Sequence, residues 1–214
     1  MLGRINESGK RAAAIVQNML SFTRNSDTAF STHNMGELLD KCIELAGSDY
    51  DFKKHYDFRQ IEIIRNYDEL LPEVVCDSGK IQQVLLNLLR NGAEAMQDYA
   101  DSIPTEVNRP KPTFTLSVTC EDDMICVDVE DNGPGMDEAT RKRVFEPFFS
   151  TKATDKGTGL GLSVSYFMIK ENHGGELLVD STPGKGTRFT IKLPVGTSVT
   201  LPIHEVEKSG NPLL

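Results

Sequence analysis

Asn87, Asn91, Glu94 and Asp98 recur at i, i+4, i+7 and i+11. At about 100° per residue this spacing sets four oxygen-bearing side chains on one stripe of a helix. Such a stripe can be a plain solvated face. Two asparagines within a helix are unfavourable, however, unless their amides bind something, because Asn competes with its own backbone. Amide and carboxylate oxygens in a row are the donors that Mg²⁺ takes when it is held together with phosphates. Three glycine clusters offer the complementary half of such a site. Asp131-Asn132-Gly133-Pro134-Gly135-Met136 follows an alternating apolar run, and its Pro134-Gly135 fits the centre of a type II turn. Gly157-Thr158-Gly159-Leu160-Gly161-Leu162 opens a helix, where free backbone N–H groups and the positive end of the dipole admit phosphate oxygens. Gly184-Lys185-Gly186-Thr187 joins two strands, and turn punctuation alone accounts for it. The middle cluster lacks the preceding strand of a dinucleotide fingerprint, because residues 150–156 are polar, and no GxxxxGK[ST] loop occurs.

The elements that must carry these residues follow from periodicity. Ile81, Val84, Leu85, Leu88, Leu89, Ala93 and Met96 keep helical spacing over residues 78–99, with Asp77 or Ser78 as N-cap. A shorter helix starts at Asn34, where Glu37 three residues on completes a capping box. Phe114, Leu116, Val118 and Cys120 alternate, turn through Glu-Asp-Asp, and return as Ile125, Val127 and Val129, a hairpin. Ile61, Ile63 and Ile64 suggest a strand, and Val74 with Val75 a short extended piece. A small helix capped by Asp137 spans 138–144. Another runs from about Leu162 to Asn172 and stops at Gly174. Strands at 176–181 and 187–193 close the domain. Runs of helix and antiparallel strand, without strict βαβ alternation, predict an α+β two-layer sandwich. Ahead of it, residues 1–24 repeat Ile5, Ala12 and Met19 every seven positions, with Ile15, Val16 and Phe22 between. That is a bundle helix, which must bury its stripe against partners. The expected divisions are 1–32 for this helix and its linker, 33–196 for the sandwich and 197–214 for a loose tail.

The chain of 214 residues carries a net charge of −9. A nucleic-acid or anionic-membrane surface would need the opposite balance, so neither partner is expected. The four cysteines form no CxxC pair and share no ligand spacing with the four histidines, which points away from structural zinc and towards a reducing compartment. No apolar run reaches the ~18–20 residues of a membrane span. A cytoplasmic location is the expectation, possible also for the cytoplasmic part of a membrane-bound sensor.

Taken in order, these motifs resemble the catalytic core of sensor histidine kinases, within the GHKL ATP-binding superfamily that also holds gyrase B, mismatch-repair ATPases and heat-shock chaperone ATPases. Gln82 to Ala93 is similar to the N box, and Asp131 to Met136 to the G1 box. Phe145-Glu146-Pro147-Phe148-Phe149 is similar to the F box, Gly157 to Leu162 to the G2 box, and Gly184 to Thr187 to the last glycine box. Five motifs in family order cover about residues 34–194. Residues 4–24 resemble, less specifically, the second helix of a dimerisation and phosphoacceptor domain.

The resemblance implies a Bergerat-like ATP-binding fold with ATP and Mg²⁺ as its ligands. Asn91 would hold the metal, with Asn87 beside it. Asp131 would accept from the adenine amino group, Gly133 and Gly135 would let the chain approach the base, and Thr187 would support it. Phe145 to Gly159 would form a lid anchored by its phenylalanines, and Thr158, Leu160, Gly161 and Leu162 would complete the phosphate loop. Either Lys152 or Lys156 could reach a phosphate, or both are simply exposed lysines. One departure stands out: many histidine kinases carry Lys or Arg three residues after the metal-binding asparagine, where this chain has Glu94. Hydrolytic members carry a glutamate at the Asn87 position, and an amide cannot act as a base at neutral pH. The implied activity is therefore phosphoryl transfer to a histidine, for relay to the aspartate of a response-regulator receiver domain. None of His33, His55, His173 and His204 is followed by the family's acid-x-x-Asn/Thr pattern. The acceptor is expected upstream, and a homodimer is expected through residues 1–24. The alternatives are a GHKL-type ATPase and a nucleotide-sensing module without kinase activity.

Overall fold

In a computed structural model, residues 30–48, 57–104, 110–152 and 158–196 are described. The heptad helix at 1–24, Lys156, Gly157, His55, His204 and the tail at 197–214 lie outside them. Two layers form (a five-stranded sheet and the helices packed on one of its faces). The helical layer holds α1 (Met35–Ser48) and the long α2 (Ser78–Ser102). Asn34 accepts the Glu37 N–H at 3.2 Å to start α1. Asp77 starts α2, accepting the Lys80 N–H. The sheet runs β2 (Glu62–Tyr67), β4 (Thr113–Glu121), β5 (Met124–Asp131), β7 (Gly186–Pro194), β6 (Glu176–Thr182). Asp122 and Asp123, at φ 50° and 59°, make the β4–β5 turn, a conformation that Asp tolerates better than most residues.

Two features depart from the expectation of antiparallel strands alone. β2 pairs with β4 in parallel, a pairing that needs a long crossover and uses α2 for it. The end of the expected linker is a strand, β1 (Ser31–His33), which pairs with β3 (Val74–Cys76) in a separate two-stranded sheet.

Alternation decides which face is buried. Phe114, Leu116 and Val118 on β4 and Ile125, Val127 and Val129 on β5 meet Ile81, Val84, Leu85, Leu88 and Leu89 of α2 in one core. The opposite face stays polar, with Arg188 Nε donating to Glu130 at 2.9 Å. Gly92 lets α2 approach β4 closely, since a Cβ there would lie 2.6 Å from the Phe114 ring. α3 (Glu138–Arg143) is capped by Asp137. α4 (Gly161–Phe167) continues as a wider π-type turn over Met168–Asn172 and stops before Gly174, at φ +61°. Among the described residues no helix is long and apolar enough to cross a membrane.

His173 ties three segments together. Its Nδ1–H donates to the Met168 carbonyl at 2.8 Å, and its Nε2 accepts the Asp77 N–H at 3.2 Å. The Phe30 ring, just ahead of β1, lies 5.3 Å away. The ring is thus neutral, and burial holds its pKa below the ordinary value of 6.5. Between those two values the unfolded chain binds a proton that the folded chain does not. Stability from this site is therefore present above about pH 6.5 and is lost as the pH falls. His173→Phe removes the hydrogen bond from the Asp77 N–H and should cost about 1 kcal/mol near neutral pH, while flattening the acid limb. Denaturant titrations of both proteins across that range check it. An unchanged acid limb would remove His173 as its source.

Candidate functional site

Asp131 ends β5 on the core-facing side, in register with Thr187 of β7, and is 5% exposed. Its carboxylate accepts the Gly133 N–H at 2.9 Å and a backbone N–H of Thr187. These two bonds favour the charged form, yet burial outweighs them and pushes the pKa up to about 6. Around it the first and last glycine clusters lock together. Gly184 N–H donates to Pro134 at 2.7 Å, Met136 N–H donates to the Ser181 hydroxyl at 2.8 Å, and that hydroxyl lies 3.0 Å from Thr187 Oγ1. Gly135 sits at φ +68° with the Thr182 carbonyl 2.1 Å from where a Cβ would be, so turn geometry and crowding both demand glycine.

Facing this floor is the polar stripe of α2. Asn87 Nδ2 donates to Ser165 Oγ of α4 at 3.0 Å, which leaves its carbonyl oxygen as the remaining polar atom. That oxygen lies 2.6 Å from the Cβ position of Gly161. A side chain at 161 would displace the Asn87 amide from the place where it meets the α4 N-terminus. The stripe and the glycine-led helix start are therefore built against each other.

Phe148 and Gly159 meet backbone to backbone. Phe148 N–H donates to the Gly159 carbonyl at 2.8 Å, and Gly159, at φ +65°, has the Phe148 carbonyl carbon 2.5 Å from its Cβ position. Phe145 anchors the segment beneath, its ring 5.2 Å from Tyr166 and 6.3 Å from Phe189. Arg143 stacks over Phe149 at 4.4 Å. Three residues beyond Phe149, the Lys152 ammonium bonds the Glu94 carboxylate on α2.

Between these walls lies a cleft of about 840 Å³, within the range of small-molecule sites. Asn87, Asn91, Asp131, Gly135, Lys152, Thr158, Gly159, Leu160, Gly161, Leu162 and Thr187 all line it, as does Glu94. Gly133 and Phe145 do not: one orients the Asp131 carboxylate and the other packs against Tyr166 and Phe189. Asp98, the last member of the stripe, is exposed and off the cleft. Met136, Val144, Met168 and Phe189 add apolar lining that the motif reading did not single out, and Ser165 and Ser181 add the hydroxyls that hold it. Ser165 stands four residues after Gly161, so helical spacing carried a signal for it; Ser181 meets Thr187 only through strand register.

A family model described as "Histidine kinase-, DNA gyrase B-, and HSP90-like ATPase" matches residues 76–197, more than half of the chain. The chain belongs to this family. Its relatives within the family include Sporulation kinase E of Bacillus subtilis, 31% identical over 186 residues, covering 87% of this chain and 22% of that protein. Sensor kinase CckA of Brucella abortus is 34% identical over 197 residues, 89% of this chain and 20% of its own length. The chain thus spans about a fifth of the length of those two kinases. Among solved structures, the nucleotide-free catalytic domain of histidine kinase ThkA superposes with a TM-score of 0.60 at 27% identity, covering 77% of this chain and 95% of that domain. In this histidine kinase-, gyrase B- and HSP90-like family member, the glycine clusters and the asparagine stripe are the walls of one cleft.

Proposed function

We propose that this chain binds ATP with Mg²⁺ and is the phosphoryl-donating part of a sensor histidine kinase. The observation that carries the reading is Asp131, a carboxylate buried at the floor of the cleft whose hydrogen bonds come from backbone N–H groups. A buried acceptor of this kind suits an exocyclic amino group, so Asp131 would take the adenine amine, with Gly135 and Thr187 beside the ring. Gly159, Leu160 and Gly161 would present backbone N–H groups to the phosphates. Asn91 and the free oxygen of Asn87 fit a hard cation by donor chemistry, and Mg²⁺ there would neutralise phosphate charge.

Asn87 also bears on the reaction class. Its amide abstracts no proton, so the site holds the nucleotide without activating water, which disfavours the conformational ATPase. Phosphoryl transfer then depends on presenting a histidine in line. His173 is no candidate, being 3% exposed with both ring nitrogens engaged. We place the acceptor on a segment upstream, with residues 1–24 as the dimerising helix and a response-regulator aspartate as the final recipient in the cytoplasm.

Radiolabelled ATP tests this reading. With Mg²⁺, the chain alone should bind nucleotide, turn it over very slowly and take up no acid-labile label. Addition of a family phosphoacceptor hairpin should yield acid-labile, alkali-stable label on that hairpin, and Asn91→Ala should lower the yield tenfold or more, on the scale of losing a contact to a charged group. Rapid hydrolysis by the chain alone would favour the conformational ATPase. Label on serine would overturn histidine transfer.

A further inference from the structure

Glu94 and Lys152 are 58 residues apart in sequence, yet the lid ammonium bonds the carboxylate on the α2 stripe. Both side chains are about 30% exposed, and both line the cleft. The Ser150 hydroxyl accepts the Lys152 N–H at 3.1 Å, which holds the turn that delivers the side chain. An exposed lysine on a loop is ordinarily a freely rotating charge whose pairing contributes little. Here the pair is half-withdrawn from water and sits on the stripe that carries Asn87 and Asn91. An ammonium has three donors, and the carboxylate occupies one, so the others stay available to a ligand in the cleft. An unaccompanied Glu94 would face the phosphates of a bound nucleotide with like charge.

We propose that Glu94 is a positioning residue for the phosphate end of the nucleotide, fixing the Lys152 ammonium against α2 so that the two residues act as one unit. What the unit supplies is a cation held between the helix and the lid, whichever of the two positions carries it. The inference rests on the nucleotide reading above and adds to it the coupling of lid to helix. It also accounts for the acidic residue at 94: the helix contributes the counter-ion and the lid contributes the cation.

Exchanging the charges separates this unit from an incidental surface pair. Calorimetry on the whole chain would compare wild type, Lys152→Glu and the double variant Glu94→Lys/Lys152→Glu, each with Mg·ATP and with adenosine. Lys152→Glu sets two carboxylates together beside the phosphates and should weaken ATP by roughly tenfold or more. The double variant restores one cation and one anion across the same gap and should recover affinity to within about threefold of wild type. Adenosine affinity should stay unchanged throughout, which also shows that each variant is folded. A double variant as weak for ATP as Lys152→Glu, with adenosine binding intact, would overturn the coupling while leaving the nucleotide reading in place. Wild-type chain that binds neither ATP nor adenosine would overturn the nucleotide reading, and this inference would fall with it.

Discussion

Asp131→Asn should weaken ATP binding at least tenfold and, in the same molecule, make the ligand-free protein more stable at neutral pH. The two effects share one cause. Burial raises the Asp131 pKa from 3.8 to about 6, so between those values the folded chain holds a proton that the unfolded chain has released. The stability this contributes is present below about pH 4 and is lost as the pH rises through 6. At neutral pH the ionised carboxylate is thus a burden on the ligand-free fold, of order 1–3 kcal/mol, which a neutral amide removes. An amide offers one acceptor oxygen where the carboxylate offers two, so the Gly133 and Thr187 N–H groups and the adenine amine compete for it, and the amide nitrogen, a donor, cannot take the amine. A lost bond to a buried charged acceptor costs about 1.5–3 kcal/mol, hence the tenfold or greater loss. Wild-type ATP affinity should likewise fall as the pH drops below about 6 and Asp131 takes up its proton. Calorimetry for affinity and thermal melts of the ligand-free protein give both readings. A folded variant with unchanged ATP affinity would remove Asp131 from the adenine site.

Gly186→Ala should be among the most damaging single changes in the sheet. The residue opens β7 at φ +94°, and a Cβ there would lie 1.9 Å from the Asp131 carbonyl oxygen. A backbone atom cannot swing aside as a side-chain tip can, so the strands must part or the turn must refold. The expected cost is about 4 kcal/mol or more, at the extreme of single substitutions. Gly184→Ala is the matched control. It shares the positive φ, at +77°, but has nothing within 4 Å of its Cβ position, so only the conformational penalty of about 1–2 kcal/mol applies. Denaturant midpoints of the two variants should therefore separate widely. Because Gly186 packs on Asp131, whatever folded Gly186→Ala remains should also bind ATP poorly. Equal midpoints would mean that the turn relaxes freely and that the close approach carries no energy.

Much of the site was legible in the residues because its signals are local. Asn87 and Asn91 share a face through helical spacing alone, and the caps Asn34, Asp77 and Asp137 announce their helices within four residues. The glycine clusters declare turns wherever they stand, and the alternation of β4 and β5 names the buried face, so that Asp131 falls on it by counting from Val129. What the sequence by itself determined, then, is each element and the face it buries, since both follow from the periods of helix and strand. Only the tertiary structure decided which faces meet. β2 lies parallel to β4 because it adds to the edge of a sheet assembled from distant parts, and Ser31–His33 is a strand because Val74–Cys76, some forty residues on, comes to lie beside it. His173 is a buried clamp and not an acceptor because, beside its local bond to Met168, its other ring nitrogen takes the Asp77 N–H from 96 residues away. Asn87 bonds Ser165, and Lys152 from the lid answers Glu94 on α2, only once the sheet has brought α4 and the lid over that helix. Such pairings carry no spacing rule: they depend on long loops closing, and the chain specifies them through the whole core and not through any stretch of residues.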